Sequence, residues 1–319
     1  MSTPMPRAGG WTAHAERSNL WWLRLMRWIA VTSGRTLARL VLHPIALYFW
    51  VANGRARRAS AEYLRRVHGR PAAWHETYRH VHHFAATVLD RVYLLRGELA
   101  QFDIDGEGAH ALLAPLARGE GILMVGAHLG SFEALRTSAQ CRGARVAMLM
   151  YEDNARLINA TLAAVAPQAQ LHTIGLGRPG AMLAVRRWLD GGGLAGLLAD
   201  RTLPAQSERS HSVWLDFLGQ RARFSDGPFR VAAMLRRPVI FMAGLYHGGN
   251  RYELRFVELA DFRGVAPGDR RDADARIAQA LQRYVTLLEA LCRESPYNWF
   301  NFFDFWGDDA SVTAHHGKA

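Results

Sequence analysis

The chain has 319 residues, of which 50% are hydrophobic, enough for one large α/β domain or two small ones. Lys and Arg outnumber Asp and Glu by 39 to 28, so the formal net charge is +11. That balance suggests an anionic partner: a membrane surface, a nucleic acid or an acidic carrier protein. The two cysteines, Cys141 and Cys292, cannot build a disulfide framework, which indicates a reducing compartment.

The amino-terminal part of the chain becomes rich in Trp, Leu, Ile and Val from residue 19 to residue 52. Arg24, Arg27, Arg35 and Arg39 interrupt this stretch. Its longest clean run, Leu40 to Ala52, is shorter than the about 20 residues that a bilayer crossing needs. We therefore predict a helix in the membrane interface, with a single crossing or a buried core helix as alternatives. Aromatic residues suited to that interface are Trp21, Trp22, Trp28, Tyr48 and Trp50.

Basic residues follow this apolar stretch directly, at Arg55, Arg57, Arg58, Arg65, Arg66 and Arg70. These arginines form either a patch that faces anionic lipid or a solvated helix face. The next segment, Trp74 to Arg96, is predicted to be helical and carries four histidines, His75, His80, His82 and His83. These are interpreted as hydrogen-bonded or solvent-facing side chains, because no second group of ligands at matching spacing supports a metal site.

From residue 119 onward, predicted strands and helices alternate, which indicates an α/β fold with a mostly parallel sheet flanked by helices. The strands are predicted at Ile122–Val125, Arg145–Leu149, Leu171–Ile174, Leu194–Ala199, Val239–Ala243 and Tyr252–Val257. The helices are predicted at Phe132–Gln140, Ala155–Val165, Pro179–Leu189, Phe229–Leu235 and Arg270–Arg293. We divide the chain into a membrane-interface anchor with a basic patch (1–70), an α/β domain (71–307) and a mobile tail (308–319).

The segment Gly126-Ala-His128-Leu-Gly-Ser-Phe-Glu133 directly follows an apolar strand candidate. We expect His128 in the turn that leaves the strand and Glu133 in the next helix, with Gly126 and Gly130 permitting the turn. Glu133 would then bind one ring nitrogen of His128 and leave the other free as a base. The alternative is a structural histidine bonded to a nearby carboxylate. The commoner GxSxG, HExxH and GxxxxGK[ST] motifs do not occur.

A second polar block follows another predicted strand, which ends in Asp200-Arg201. Since sites in parallel α/β sheets form at the carboxyl ends of strands, His128 and Asp200-Arg201 are expected to converge. A histidine base at such a site points to acyl transfer, in which a negatively charged oxygen develops. Arg201 and the backbone N–H groups near Gly130 are candidate hydrogen-bond donors to this oxyanion. Arg201 could equally bind an acceptor phosphate or pair with Asp200.

These motifs carry a resemblance to a known family. His128-Leu-Gly-Ser-Phe-Glu133 resembles the H-x4-D/E motif of glycerolipid and lipid A acyltransferases. The order of the blocks from Gly119 to Tyr246 is similar to that of the late lipid A acyltransferases of bacteria, the lauroyl and myristoyl transferases. The Trp- and Phe-rich segment from Pro296 to Trp306 resembles the end of that family.

The resemblance implies a membrane-associated acyltransferase at the cytoplasmic face of the bacterial inner membrane. Its donor would be an acyl carrier protein thioester, and its acceptor a hydroxyl or amine of lipid A or another envelope lipid. His128 would be the general base and Glu133 its partner. Asp200, Arg201 and Gly130 would bind substrate or the oxyanion. No cofactor, metal ion or nucleic acid is expected.

The aromatic residues Trp214, Phe217 and Phe224 line either an acyl groove or the hydrophobic core. Two other functions stay open at this point. The same site could use water as acceptor and act as a lipid hydrolase or thioesterase. The chain could also be a non-catalytic protein that binds membranes through its basic surface.

Overall fold

The computed structural model describes residues 12–151, 172–177, 179–201, 212–266 and 268–307. Its eight α-helices within those ranges are α1 (Thr12–Ala52), α2 (Gly54–His68), α3 (Trp74–Leu95), α4 (Ala109–Ala117), α5 (Phe132–Cys141), α6 (Ala181–Asp190), α7 (Gly227–Leu235) and α8 (Arg270–Glu294). The nine strands are β1 (Asp103–Glu107), β2 (Ile122–Gly130), β3 (Val146–Tyr151), β4 (His172–Leu176), β5 (Leu194–Leu198), β6 (Ser212–Phe217), β7 (Gln220–Ser225), β8 (Pro238–Tyr246) and β9 (Arg251–Asp261).

Seven of these strands form one sheet in the order β1-β9-β8-β2-β5-β3-β4. Strands β8, β2, β5, β3 and β4 are mutually parallel, and β9 runs antiparallel to β8 at one side. The predicted mostly parallel α/β fold is therefore confirmed. Strands β2 and β5 are direct neighbours in the middle of the sheet, so the segments that follow them emerge side by side.

The sheet separates two hydrophobic clusters, because successive strand residues point to opposite faces. In β2, Leu123 and Val125 join the cluster formed with α2, α6, α7 and α8. Ile122 and Met124 join the cluster formed with α1, α3, α4 and α5. Helices thus cover both faces, as a parallel sheet with continuous apolar strands requires.

Helix α1 is interrupted at Gly34, whose φ of 73° is not helical, and its carboxyl-terminal half packs against α3. Arg35 and Arg39, which appeared to interrupt the apolar stretch, point inward to the fully buried Asp90 of α3. Of the predicted interface aromatics, Trp28 and Tyr48 are exposed, Trp50 is half-buried, and the side chains of Trp21 and Trp22 fall outside the described residues. In the part of the chain that is described, no helix combines the length and apolarity needed to cross a membrane.

The predicted strands and helices are found within a few residues of their expected ends, except that Ala155–Val165 and the tail from residue 308 fall outside the described residues. The sequence did not predict β1, α4 or the two strands of the hairpin, β6 and β7. Strand β1 has no apolar alternation, since four of its five residues are exposed. The hairpin joins β6 and β7 through a tight turn at Leu218 and Gly219, both with positive φ.

Candidate active site

The site lies where β2 and β5 end next to each other. His128 belongs to β2 itself and not to the turn, because β2 continues to Gly130, five residues beyond the strand end predicted at Val125. Pairing between β2 and β8 is irregular from Gly126 to Gly130, which lets the strand end diverge from the ladder. Asp200 lies two residues beyond β5, and the Ala199 N–H donates to Gly126 O at 3.0 Å. This bond fixes Asp200 beside the end of β2.

Asp200 is the hydrogen-bonding partner of His128. The imidazole Nδ1 lies 2.8 Å from Asp200 Oδ1, and the His128 backbone N–H donates to Oδ2 at 3.1 Å. Since a carboxylate only accepts hydrogen bonds, Nδ1 carries the ring proton. The neutral imidazole then has its lone pair on Nε2, for which the described residues supply no hydrogen-bonding partner. The side chain is about one-third exposed, so Nε2 can meet a substrate.

The carboxyl of Asp200 is almost completely buried, which by itself would raise its pKa. The neighbouring His128, the Arg201 guanidinium and a hydrogen bond from the Trp299 indole together outweigh burial and hold the pKa of Asp200 below its ordinary value. Asp200 is consequently ionised at neutral pH. A buried carboxylate in that state orients His128 and stabilises the imidazolium that forms when Nε2 takes up a proton.

The predicted hydrogen bond between Glu133 and His128 is not formed. Glu133 lies in the first turn of α5, is buried, and its Oε1 contacts the Arg91 guanidinium of α3. The physical reason is the path of the chain: β2 extends past His128, and α5 then turns toward α3. Glu133 therefore joins two helices in this structure, while Asp200 holds the imidazole.

Gly130 adopts a left-handed backbone conformation, with φ of 70°. A Cβ atom at this position would collide with the Gly244 carbonyl of β8, so only glycine fits. Its N–H donates to Asn298 O at 2.9 Å, and the next N–H, of Ser131, donates to Gly244 O at 2.7 Å. Both groups are occupied, so the predicted oxyanion donors at Gly130 are not free. Ser131 is itself buried and caps α5 by accepting from Ala134 N–H.

Arg201 follows Asp200 directly and reaches the surface. One Nη donates to Phe300 O at 3.1 Å, and the guanidinium lies over the Phe303 ring, 5.2 Å from its centroid. Arg201 does not pair with the Asp200 carboxylate by a hydrogen bond among the described contacts. An exposed guanidinium in this position, directly after the carboxylate that binds His128, can bind an anionic group.

The segment after α8 completes the site. The Phe300 N–H donates to His128 O at 2.8 Å, and Leu129 pairs with Trp299 in an isolated β-bridge. The Asn298 side chain accepts from Tyr246 N–H and donates to Tyr246 O, which fixes the segment on β8. Residues 298–300 therefore act as an additional short strand beside the carboxyl end of β2.

The three aromatic residues considered for an acyl groove differ in how deeply they are buried. Phe217 and Phe224 have no exposed surface and pack edge to face with each other, and Phe217 packs similarly on Trp299. Their placement matches the alternative that they are core residues. Trp214 is half-buried, and the Arg223 guanidinium lies over its ring.

The fold and the site together define an α/β protein with a His–Asp pair at its strand ends. The sequence profile of the bacterial lipid A biosynthesis acyltransferase family matches residues 13–306. The chain belongs to this family, as the resemblance implied. A comparison with curated proteins gives no significant match.

Proposed function

We propose that this protein transfers a fatty acyl chain from an acyl carrier protein thioester to a hydroxyl or amine of a lipid A-type or other envelope lipid. The observation that carries the proposal is the His128–Asp200 pair, with Nδ1 bound and Nε2 open to solvent. Membership of the acyltransferase family supports the reaction type. In this proposal Asp200 orients the base, which the sequence had suggested for Glu133.

The reaction begins when Nε2 of His128 removes the proton from the acceptor hydroxyl or amine. The acceptor oxygen or nitrogen attacks the thioester carbonyl carbon, and the carbonyl becomes a tetrahedral oxyanion. When the intermediate collapses, the carbon–sulfur bond breaks and the imidazolium returns its proton to the leaving thiolate. Asp200 stays ionised throughout and stabilises the imidazolium.

Two other side chains have roles in this proposal. Arg201 binds the oxyanion or a phosphate of the acceptor, because it is an exposed residue directly after Asp200 while the backbone donors near Gly130 are occupied. Glu133 supports the site by holding Arg91 between α3 and α5. Replacing it by Ala is expected to reduce the rate through displacement of α5, whose amino terminus follows His128 by a few residues.

We place the protein at the cytoplasmic face of the bacterial inner membrane, and the outer face of α1 is the observation that favours contact with a bilayer. Its exposed residues between positions 37 and 52 include no Lys, Arg, Asp or Glu: they are Leu37, Leu40, His43, Pro44, Leu47, Tyr48, Phe49, Val51 and Ala52. Because Arg35 and Arg39 point inward, this face is apolar. Exposed Arg55 and Arg58 follow it, where anionic lipid headgroups would lie.

The test is acyl transfer from a labelled acyl carrier protein into envelope lipid extract, with wild type and His128→Ala assayed together. His247→Ala is the matched control, since His247 is also partly exposed and bonded to a carboxylate, with Nε2 2.8 Å from Glu253. We expect a labelled lipid with the wild type and the control only. Labelled free fatty acid without added acceptor would instead favour a hydrolase, and wild-type rates in folded His128→Ala would refute the mechanism.

A further inference from the structure

The second oxygen of Asp200 has a donor from a distant part of the chain. Trp299 Nε1–H donates to Oδ2 at 2.9 Å, and the Trp299 side chain is fully buried. Asp200 therefore accepts three hydrogen bonds, one at Oδ1 from the imidazole and two at Oδ2 from the His128 backbone and the indole.

We propose that Trp299 is a positioning residue of the catalytic site, whose indole N–H holds the Asp200 carboxylate in the rotation that places Oδ1 against His128 Nδ1. The inference rests on the proposed function for its consequence for the rate, but the geometry that it concerns can be measured without any substrate. Trp299 acts only through Asp200 and contacts no substrate.

A carboxylate can rotate about its last bond, and a rotation would exchange or misalign its two oxygens. The indole is rigid and donates from one fixed direction, so its bond selects one rotation. A hydrogen bond from a neutral donor to an ionised, buried acceptor is stronger than one between neutral groups. The indole bond is also one of the causes that keep the pKa of Asp200 low despite its burial.

The backbone carbonyl of Trp299 is held by a hydrogen bond from helix α3. His80 of α3 has no exposed surface, and its Nε2 lies 2.9 Å from Trp299 O. Since a carbonyl only accepts, Nε2 carries the proton and Nδ1 accepts from the Ser60 hydroxyl at 2.8 Å. Burial lowers the pKa of His80 to about 4, so this histidine is neutral at physiological pH and the arrangement is stable.

The backbone contacts make Trp299→Phe an informative variant. They do not depend on the indole, and a phenyl ring fills most of the same aromatic space, between Tyr63 and Phe217. The protein contains a matched control in the same aromatic cluster. Trp306 is nearly buried and 6.2 Å from the Trp299 ring, and its Nε1 has no hydrogen-bonding partner among the described residues. Trp306→Phe therefore removes an indole from the cluster without removing a bond to Asp200.

The first measurement is the titration of the Asp200 carboxyl by ¹³C NMR, assigned with Asp200→Asn. In the described part of the chain, the titratable groups whose charges act on or are affected by Asp200 are His128 of β2, the adjacent Arg201, and Tyr284 and Cys292 of α8. All four are kept in both Phe variants. We expect a higher Asp200 midpoint in Trp299→Phe and the wild-type midpoint in Trp306→Phe.

The second measurement is the rate of acyl transfer. We expect kcat to fall about tenfold in Trp299→Phe with little change in KM, because loss of one bond to a charged group misaligns the base without altering substrate contacts. Trp306→Phe should keep the wild-type kcat. An unchanged Asp200 midpoint, or equal losses of kcat in the two Phe variants, would overturn the proposal. Should the wild type transfer no acyl group, the proposed function fails, while the titration still decides the role of Trp299.

Discussion

Asp90 and Asp200 are two carboxylates with almost no exposed surface, and they lie in regions that use burial differently. Asp90 accepts two hydrogen bonds from the Arg35 guanidinium and one from the Tyr252 hydroxyl, with donor–acceptor distances of 2.9–3.0 Å. Asp200 is held by an imidazole, a backbone N–H and an indole. Burial dominates at Asp90 and raises its pKa, whereas at Asp200 the surrounding groups prevail and its pKa is lowered.

The difference lies in what the carboxylate holds. Around Asp90 the charged partners Arg35 and Arg39 are mostly enclosed, and they attach α1 to α3 and β9. Around Asp200 the partner is His128, whose second nitrogen remains open to solvent. We call Asp90 with Arg35, Arg39 and Tyr252 the brace, because these residues join structural elements. The region of Asp200 instead keeps one hydrogen-bond acceptor available, Nε2 of His128. Both acids are buried to the same extent, so burial alone does not separate them, whereas the open second nitrogen of His128 does.

The largest expected effect is on the Asp200 side of this comparison. Asp200→Asn preserves size but offers an amide that can donate to Nδ1, so the imidazole loses its preferred tautomer. We expect kcat to fall about 10³–10⁴-fold, by analogy with the same change in serine proteases. Steady-state kinetics measures it, with circular dichroism to verify folding. A rate within tenfold of wild type would assign the orienting role elsewhere.

On the brace side we expect a loss of stability. Arg35→Leu leaves the buried Asp90 with only Tyr252 and the more distant Arg39, so the free energy of unfolding should drop by about 3–5 kcal/mol. Urea titration measures it. Arg55→Leu is the control, because Arg55 at the start of α2 is exposed and its replacement should change stability by less than about 0.5 kcal/mol. Equal effects of the two variants would contradict the brace.

His80 links the two regions, and it predicts a pH dependence. Because its pKa is lowered from 6.5 to about 4 on folding, the unfolded chain binds the proton first as the pH falls. The contribution of His80 to stability is complete above pH 6.5 and is lost as the pH falls toward 4, by about 3 kcal/mol in total.

Urea titrations at pH 7 and pH 4.5 measure this contribution in wild type and His80→Gln. The variant should lose less stability between the two pH values than the wild type. His75→Gln changes an exposed histidine that has no hydrogen bond or ion pair among the described contacts, and it should leave the wild-type pH dependence intact. Identical pH dependences for wild type and His80→Gln would mean that His80 is not held neutral by the fold.

The smallest effect on stability is expected on the outer face of α1, opposite the brace. Leu40→Ser and Leu47→Ser replace exposed residues, so the free energy of unfolding should change by less than about 0.5 kcal/mol. Flotation with vesicles containing anionic lipid should nevertheless show weaker binding of the double variant, by about tenfold. Leu183→Ser, exposed on α6, is the control. Unchanged flotation of the double variant would exclude this face as the membrane contact.

The sequence predicted the parallel sheet well because its central strands are continuous apolar runs, and the rule of strand ends correctly brought His128 and Asp200 together. The hydrogen bond between His128 and Asp200 was not predicted, because the order of strands in a sheet cannot be read along the chain. Asp200 reaches His128 because β5 lies next to β2. Arg35 and Arg39 were read as interruptions of an apolar helix, since the buried Asp90 that receives them is about fifty residues away. The role of Trp299 was hidden in the same way, by a contact spanning 99 residues.

The short strand formed by residues 298–300 also sets the order in which the site is assembled during synthesis. His128, Asp200 and the sheet strands leave the ribosome well before Trp299 does. Until then the end of β2 lacks its neighbour, and Asp200 lacks one of its donors. A nascent chain can therefore present its sheet strands while the contacts of residues 298–300 with His128 and Asp200 are still unmade. Under the proposed function, the full rate of acyl transfer is therefore expected only after this segment has been synthesised.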